Sequence, residues 1–383
     1  MGMLAKALGS AALGLFCLSG AVAAQELPKK LTWMAYQTTS SGYAQTVAIG
    51  NMLKQRHGTA VRVLPGKNDV SRMAPLRDRK AEFCSCGATV WMGQEGVYMF
   101  ADKEWGPQPL RMLMSAFADT ALTLMVTESS GIETFADIRG KRVTFVTNSD
   151  SVNWSFGALL AFGGLTWDDV EIVRVSGTGA DYEAVLNGKA DVVFASTVSP
   201  LTQKVAASSY GLKWLRMPHD DTEAWARLQK KAPYFVPTMA TVGTLLSEDA
   251  PLESSNYPYP ILTTNADQDA DIVYALVKSM SENLDDYRTG AKGADGWAVE
   301  NQRLQWAIPF HEGAVRYWKE IGVWTEADQA HNDRLIARQE VLLSAWAEYS
   351  EAAADRSGEA FREGWLEARK AALTAAGLPV VFD

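Results

Sequence analysis

One phrase occurs twice in the chain, and it constrains the fold more than any other feature. Leu186-Asn187-Gly188-Lys189-Ala190-Asp191-Val192-Val193-Phe194-Ala195-Ser196 repeats the order of Leu76-Arg77-Asp78-Arg79-Lys80-Ala81-Glu82-Phe83-Cys84-Ser85-Cys86-Gly87: a leucine, Lys-Ala-acidic, an apolar run, then small residues. In physical terms each copy is a helix end, a turn, an acidic residue and a short buried strand. Gly188 can leave a helix through a positive φ. The run from Val192 to Ala195 has the length and β-branching of a sheet-core strand. Two such units about a hundred residues apart predict two α/β lobes of similar build. The small residues after each strand fall at its carboxyl end, where open α/β sheets bind ligands. A cleft between two lobes is therefore expected.

The start of the chain has a different character. Lys6 is followed by an apolar stretch from Ala7 to Gly20 and by the small residues Ala21-Val22-Ala23-Ala24, the pattern of an export signal cut after Ala23 or Ala24. The stretch is too short and too rich in Gly, Ser and Ala for a membrane span. Cutting removes Lys6 and no acid, so the formal charge goes from −9 to −9 − 1 = −10. A balance this acidic, with no basic stripe, excludes a nucleic-acid binder. Cys84 and Cys86 remain after cutting, too few for a disulfide scaffold. In an extended strand their Cα atoms would be about 6.6 Å apart, near the limit for a bridge. Two small packed thiols are the expectation, with a redox role as the alternative.

Read in order, Leu31–Tyr36 is a strand, and Gln37-Thr38-Thr39-Ser40-Ser41-Gly42-Tyr43 is a polar turn opening a helix capped by Ser40 or Ser41. Val61–Leu64 is the next strand, and a helix capped near Asp69 follows. Further strands are expected in 107–114 and at Ala121–Val126, Val143–Val146 and Val170–Val175. The alternation is that of a parallel-type sheet. Prolines at 218, 233, 237, 251, 258 and 260 mark an irregular return crossing, after which 260–264 rejoins lobe one. A helix over 271–284 precedes a helical, charged carboxyl end.

The turns at Ser40-Ser41-Gly42-Tyr43 and Asn148-Ser149-Asp150-Ser151 each open a helix, with free N–H groups and a positive dipole end. Facing each other across a cleft, they could cradle a carboxylate; helix capping alone is the plainer use. Trp33, Tyr36, Tyr43, Trp91 and Trp154 are read mainly as packing, with one or two walling the pocket. His311 is read as a structural cap. An exported enzyme pairing Cys84 or Cys86 with His57 or His311 is an alternative. The chain has no metal-ligand spacing, nucleophile elbow or phosphate loop to support it. No cofactor and no metal are expected.

Several phrases resemble the TAXI-type solute receptors of TRAP transporters: Asp137-Ile138-Arg139-Gly140-Lys141-Arg142-Val143, the Gly188-Lys189-Ala190-Asp191 repeat, and Phe310-His311-Glu312-Gly313-Ala314-Val315-Arg316-Tyr317-Trp318-Lys319-Glu320. The last is similar to that family's ending, with Glu312 in place of a proline, and Ser41-Gly42-Tyr43 stands at its tyrosine-bearing opening. The resemblance covers roughly 31–323. It implies a monomeric periplasmic receptor that closes on a small organic anion, of the carboxylate or amino-acid class, and delivers it to a TRAP membrane permease. A receptor feeding a sensor kinase is the other outlet. The chain departs from the family at Asn68-Asp69-Val70-Ser71-Arg72 and at Ser149-Asp150-Ser151-Val152, so the ligand itself is not carried over.

The expected architecture is a two-lobed α/β periplasmic binding protein, type II-like, with a carboxyl-terminal helical extension. Residues 1–24 are the signal, 25–125 with 245–322 lobe one, 126–244 lobe two and 323–383 the extension. Hinges are placed near Leu124–Glu128 and Thr238–Gly243. The expected ligand-binding set is Ser40, Ser41, Gly42, Tyr43, Asn68, Arg72, Cys86, Thr89, Thr147, Asn148, Ser149, Ser151, Asn153, Ser196 and Thr197. Arg72 is expected to be the anchor: a guanidinium near a helix start is not placed there by the dipole, and it could grip a ligand carboxylate as a fork. Pairing with Asp69 at the surface is the plainer alternative.

Overall fold

Residues 26–382 are described by the computed structural model; the expected export segment, 1–24, lies outside them. The first strand, Lys30–Tyr36 (β1), ends in the polar turn. There Ser40 takes an extended conformation and its hydroxyl accepts the Tyr43 N–H, starting the helix Ser41–His57. Ala60–Gly66 (β2) then lies parallel to β1, and Phe83–Cys86 (β3) lies on the other side of it. Leu110–Ser115 (β4) is the last strand before the chain leaves this sheet.

The second sheet is made from Leu122–Val126 (β5), Arg142–Val146 (β6), Glu171–Val175 (β7), Val192–Ser196 (β8) and the short Lys213–Trp214 (β9). An antiparallel pair, Val236–Ala240 (β10) and Leu252–Asn256 (β11), follows. Ile261–Asn265 (β12) then returns to the first sheet as an antiparallel strand between β3 and β4. The strand orders are β2-β1-β3-β12-β4 and β7-β6-β8-β5-β9. Position by position the two are the same arrangement, with the repeated phrase supplying the central strand of each.

The repeat has a shared physical job. Gly188 has φ 66° and Arg79, at the same step of the first copy, has φ 56°, so both turns leave the helix left-handed. A side chain at 188 would meet the Tyr210 hydroxyl, which explains glycine in that copy. In each copy the acidic residue then fastens its strand to the neighbouring parallel one. Glu82 accepts the Thr32 N–H at 2.7 Å, and Asp191 accepts the Arg142 N–H at 3.1 Å.

The hinge expectation needs correcting. Leu124–Val126 is buried inside β5, and Thr238–Gly243 belongs to the β10 segment and the turn after it. The chain crosses between sheets at 116–121 and 257–260, which moves the expected lobe boundaries at 125/126 and 244/245 to these crossings. They run side by side: Ala116 N–H donates to Pro260 O at 2.9 Å and Tyr259 N–H to Ala116 O at 2.7 Å.

The carboxyl-terminal helices Glu326–Ala352 and Gly358–Ala375 pack on lobe one through Glu95, which is fully buried. Arg338 donates to both Glu95 oxygens at 2.6 Å, and Arg369 donates to the Glu95 side chain and, at 2.9 Å, to its carbonyl. The same arginines donate to the carbonyls of Pro379 and Val381, each at 2.8 Å, holding the tail after the last helix. Phe382 then packs against Trp91 of lobe one and Trp154 of lobe two, with ring centroids 4.5 and 5.2 Å away. Removing one member of such a buried charge group costs about 3–5 kcal/mol. Glu95→Gln is therefore expected to lower the urea midpoint by that much stability with an unchanged slope.

Candidate functional site

Both sheets aim their carboxyl ends at one cavity between the lobes, partly open to solvent. It is lined from lobe one by Tyr36 at the end of β1 and by Gln37, Thr39, Ser40 and Ser41 of the following turn. Lobe two contributes Ser151, Thr178, Asp181, Tyr182, Phe194, Ser196 and Ser199, and the crossing contributes Tyr257 and Tyr259. The space open to the centre of a water-sized sphere is about 70 Å³, room for roughly five waters or a small solute of that size. The two lobes are shut on each other around it. Lys67 O accepts the Thr178 N–H at 3.0 Å, and Asn148 O accepts the Asp69 N–H at 3.0 Å.

The strongest contact across the seam is made by Asp69, whose side chain is buried. Its carboxylate accepts the Ser151 N–H and the Ser151 hydroxyl, each at 2.9 Å, and lies 3.5 Å from the Ser149 hydroxyl. Asp69 of lobe one thus caps the helix Asp150–Phe162 of lobe two, whose own Ser149 makes no side-chain cap. Arg72 donates to the same carboxylate, is wholly buried, and lies with its guanidinium carbon 3.7 Å from the centre of the Tyr36 ring. The expected anchor role is corrected here. Arg72 grips an anion, but the anion is the protein's own Asp69, and Arg72 stands behind Tyr36 outside the cavity lining. Of the positive features expected to cradle an anion, this guanidinium and the 150–162 helix start are occupied by one carboxylate, while the Ser41–His57 helix start, capped by Ser40, borders the cavity.

Of the other expected residues, Ser40, Ser41, Ser151 and Ser196 line the cavity. Gly42 lies beneath the Tyr259 hydroxyl, 2.9 Å from where a Cβ would stand, and Tyr43 faces an outer groove beside β2. Asn68 caps the helix Asp69–Arg77. Thr147 and Asn148 border a separate cleft shared with Glu359 and Arg362. Asn153 bonds both backbone groups of Val146, and the Thr197 hydroxyl joins Ala121 N–H to Val242 O. Thr89 is buried at the start of its helix, away from the cavity. Cys84 and Cys86 form a disulfide, against the expectation of free thiols: the strand draws their Cα atoms to 5.4 Å, inside the bridging range. A buried, bridged pair has no thiolate to offer a histidine. His57 instead bonds the Ser279 hydroxyl, and His311 caps the helix Glu312–Glu320 as expected. Among the described residues no three His, Cys, Asp or Glu side chains converge as a metal set.

The residues that sequence reading missed are the tyrosines of the crossing, Asp181 and Tyr182. Two signals were present: the Tyr257-Pro258-Tyr259-Pro260 run, and Ser176-Gly177-Thr178-Gly179, a glycine-rich turn opening the helix Ala180–Leu186. Burial raises the phenols of Tyr36, Tyr182, Tyr257 and Tyr259 above their ordinary value, the last three well above it, and keeps them neutral. Asp181 is the one carboxylate in the lining, and the lining contains no lysine, arginine or histidine. Burial raises Asp181 to about 7, opposed by the Gly179 and Tyr182 N–H groups that donate to its Oδ1 at 2.6 and 2.8 Å. Asp150, at the seam, is raised to about 6 by burial and then by the charge of Asp69.

Two outcomes follow from this electrostatics. Arg72→Ala leaves Asp69 buried without its cation, so the expected loss is about 3–5 kcal/mol of stability, read by urea denaturation. Asp181 and Asp150 both have folded values above the unfolded value of about 3.9. Between about pH 4 and 7 these two groups hold more protons in the folded chain than in the unfolded one, so their contribution to stability declines as pH rises through that window. Urea midpoints measured across it should show the decline, and Asp181→Asn should flatten its upper part.

The model of the NMT1-like family matches residues 36–322. No curated protein sequence matches the chain. Among solved structures it is similar to the alkanesulfonate-binding protein SsuA from Xanthomonas axonopodis pv. citri bound to MOPS, at 13% identity and TM-score 0.41 over 83% of this chain and 96% of that one. The periplasmic aliphatic sulphonate binding protein SsuA from Escherichia coli gives 13% and 0.42 over 92% and 89%. An ABC transporter periplasmic binding protein from Brucella ovis with glutathione bound gives 10% and 0.44 over 69% and 70%. At these identities the likeness assigns no ligand.

Proposed function

The chain belongs to the NMT1-like family, and on that premise we propose that it is a solute receptor that shuts its two lobes on one small molecule and hands it to a membrane transporter. The observation that carries this is the cavity itself. It lies between the carboxyl ends of two sheets, is lined from both lobes, and stands beside two antiparallel crossings about which the lobes can part. A ligand touching both lobes stabilises the shut form, because half of its contacts are lost on opening. The receptor works in the periplasm after removal of 1–24. No helix of the described residues is long and apolar enough to cross a membrane.

The proposed transporter is of the TRAP type, on the resemblance of 137–143 and 310–320 to TAXI receptors. Part of that resemblance reflects packing rather than ligand chemistry. Gly313 lies against the Ala270 carbonyl with no room for a side chain, and the helix Glu312–Glu320 lies on lobe one outside the cavity lining. For the organic-anion class expected from the sequence the lining offers the Ser41–His57 helix start but no lysine, arginine or histidine, and it carries the Asp181 carboxylate, so that class is not retained here.

A thermal-shift screen of the mature chain against organic acids, amino acids, sulfonates and amines tests the receptor. A true ligand at a hundred times its Kd should add about 2.7 kcal/mol of stability. Calorimetry should give one site per chain, and small-angle scattering should show the liganded protein at least as contracted as the free one. Two independent sites, or expansion on saturation, would contradict the single closing cavity.

A further inference from the structure

Resting on the receptor reading above, we infer that the ligand is a small organic cation, with its ammonium group held by the Asp181 carboxylate against the tyrosine walls of the interlobe cavity. Three observations converge on this. First, the lining carries one formal charge, and it is negative: Asp181, 1% exposed, among serine and threonine hydroxyls and aromatic rings. Its Oδ1 accepts the Gly179 and Tyr182 N–H groups, and a ligand ammonium would meet the carboxylate where it borders the cavity. Second, Tyr36, Tyr182, Phe194, Tyr257 and Tyr259 wall the space. Aromatic faces attract a desolvated ammonium, most strongly where water is excluded. Third, the guanidinium nearest the cavity does not oppose a cation, because Asp69 neutralises Arg72 in a buried pair.

An anion in this space would face an unpaired carboxylate with no counter-charge. A neutral solute would supply no counter-charge, so above about pH 7 the carboxylate would keep only its N–H donors. A cation removes both difficulties at once. The hydroxyls of Ser40, Ser41, Ser151 and Ser196 can receive a ligand hydroxyl or further ammonium protons, so primary and quaternary ammonium compounds share the recognising chemistry.

The charge state of Asp181 gives binding a pH signature. The groups around it are Glu183 on its own helix, whose charge pushes it up further, and the neutral phenols of Tyr182, Tyr36, Tyr257 and Tyr259. With its carboxyl at about 7 in the empty cavity, the anionic form that holds a cation grows roughly tenfold between pH 6 and 8. The affinity for a cation that does not itself titrate should rise by about that factor over the same interval.

The test uses choline, ethanolamine, succinate and 3,3-dimethyl-1-butanol, the uncharged isostere of choline, with the mature wild-type chain and with Asp181→Asn, by calorimetry and thermal shift. The expected result is binding of choline or ethanolamine at one site. Choline or ethanolamine should bind at least about tenfold more tightly than the isostere, with the choline affinity rising from pH 6 to 8 if choline is the ligand. Asp181→Asn should lose that preference while leaving the isostere's affinity within about threefold. Which of the two cations binds better decides between quaternary and primary ammonium. Equal or tighter binding of the isostere, or an unchanged cation preference in Asp181→Asn, overturns the inference. Binding of succinate alone overturns it too, but leaves the receptor standing. Silence of all four compounds overturns the cation class, and the receptor then rests on the wider screen.

Discussion

The shut form of the molecule depends on where one carboxylate goes. Asp69 sits at the first turn of a lobe-one helix, yet the groups it satisfies, apart from Arg72, belong to lobe two: the Ser151 N–H, the Ser151 hydroxyl and the neighbouring Ser149 hydroxyl. A helix start holds unsatisfied donors and partial positive charge, and the 150–162 helix receives its acceptor from across the seam. The Arg72 guanidinium balances the buried negative charge and lies on Tyr36, which faces the cavity with the rest of its ring. Seam, ion pair and cavity wall are therefore one continuous structure. Desolvated charges gain their strength from fixed partners rather than from water, so opening the lobes must either rehydrate Asp69 or leave it with Arg72 alone.

Much of this architecture was legible because its causes are local. The turn after each Lys-Ala-acidic phrase, the caps at Ser40 and His311, and the strand runs around Val143 and Val192 are set by residues within a few positions of one another. The central placement of β3 and β8 followed from recognising that the phrase occurs twice. The hinge was not legible, since only pairing in space tells a core strand such as Leu124–Val126 from the crossing at 116–121. Cys84 and Cys86 were misjudged for a related reason, because an ideal strand rise overstates their separation by about an ångström.

The site was only partly legible, and the failures have one cause. Arg72 was singled out correctly as a cation out of place at a helix start, but its partner lies three residues away and is buried instead of exposed. Sequence spacing offers that pair without saying whether water surrounds it. The tyrosines at 257 and 259 lie far along the chain from Tyr36, and they meet it only because the return crossing runs beside the first one. A cavity built from crossings is assembled by topology, which no window of sequence contains.

The tail that follows the last helix adds a consequence of another kind. Phe382 touches Trp91 on one lobe and Trp154 on the other, while Arg338 and Arg369 hold the carbonyls just before it. Two indoles on separate bodies thus share one small ring as a common neighbour. Parting the lobes separates those indoles and wets at least one of them, so the native fluorescence of the molecule carries an optical readout of its aperture without any added dye.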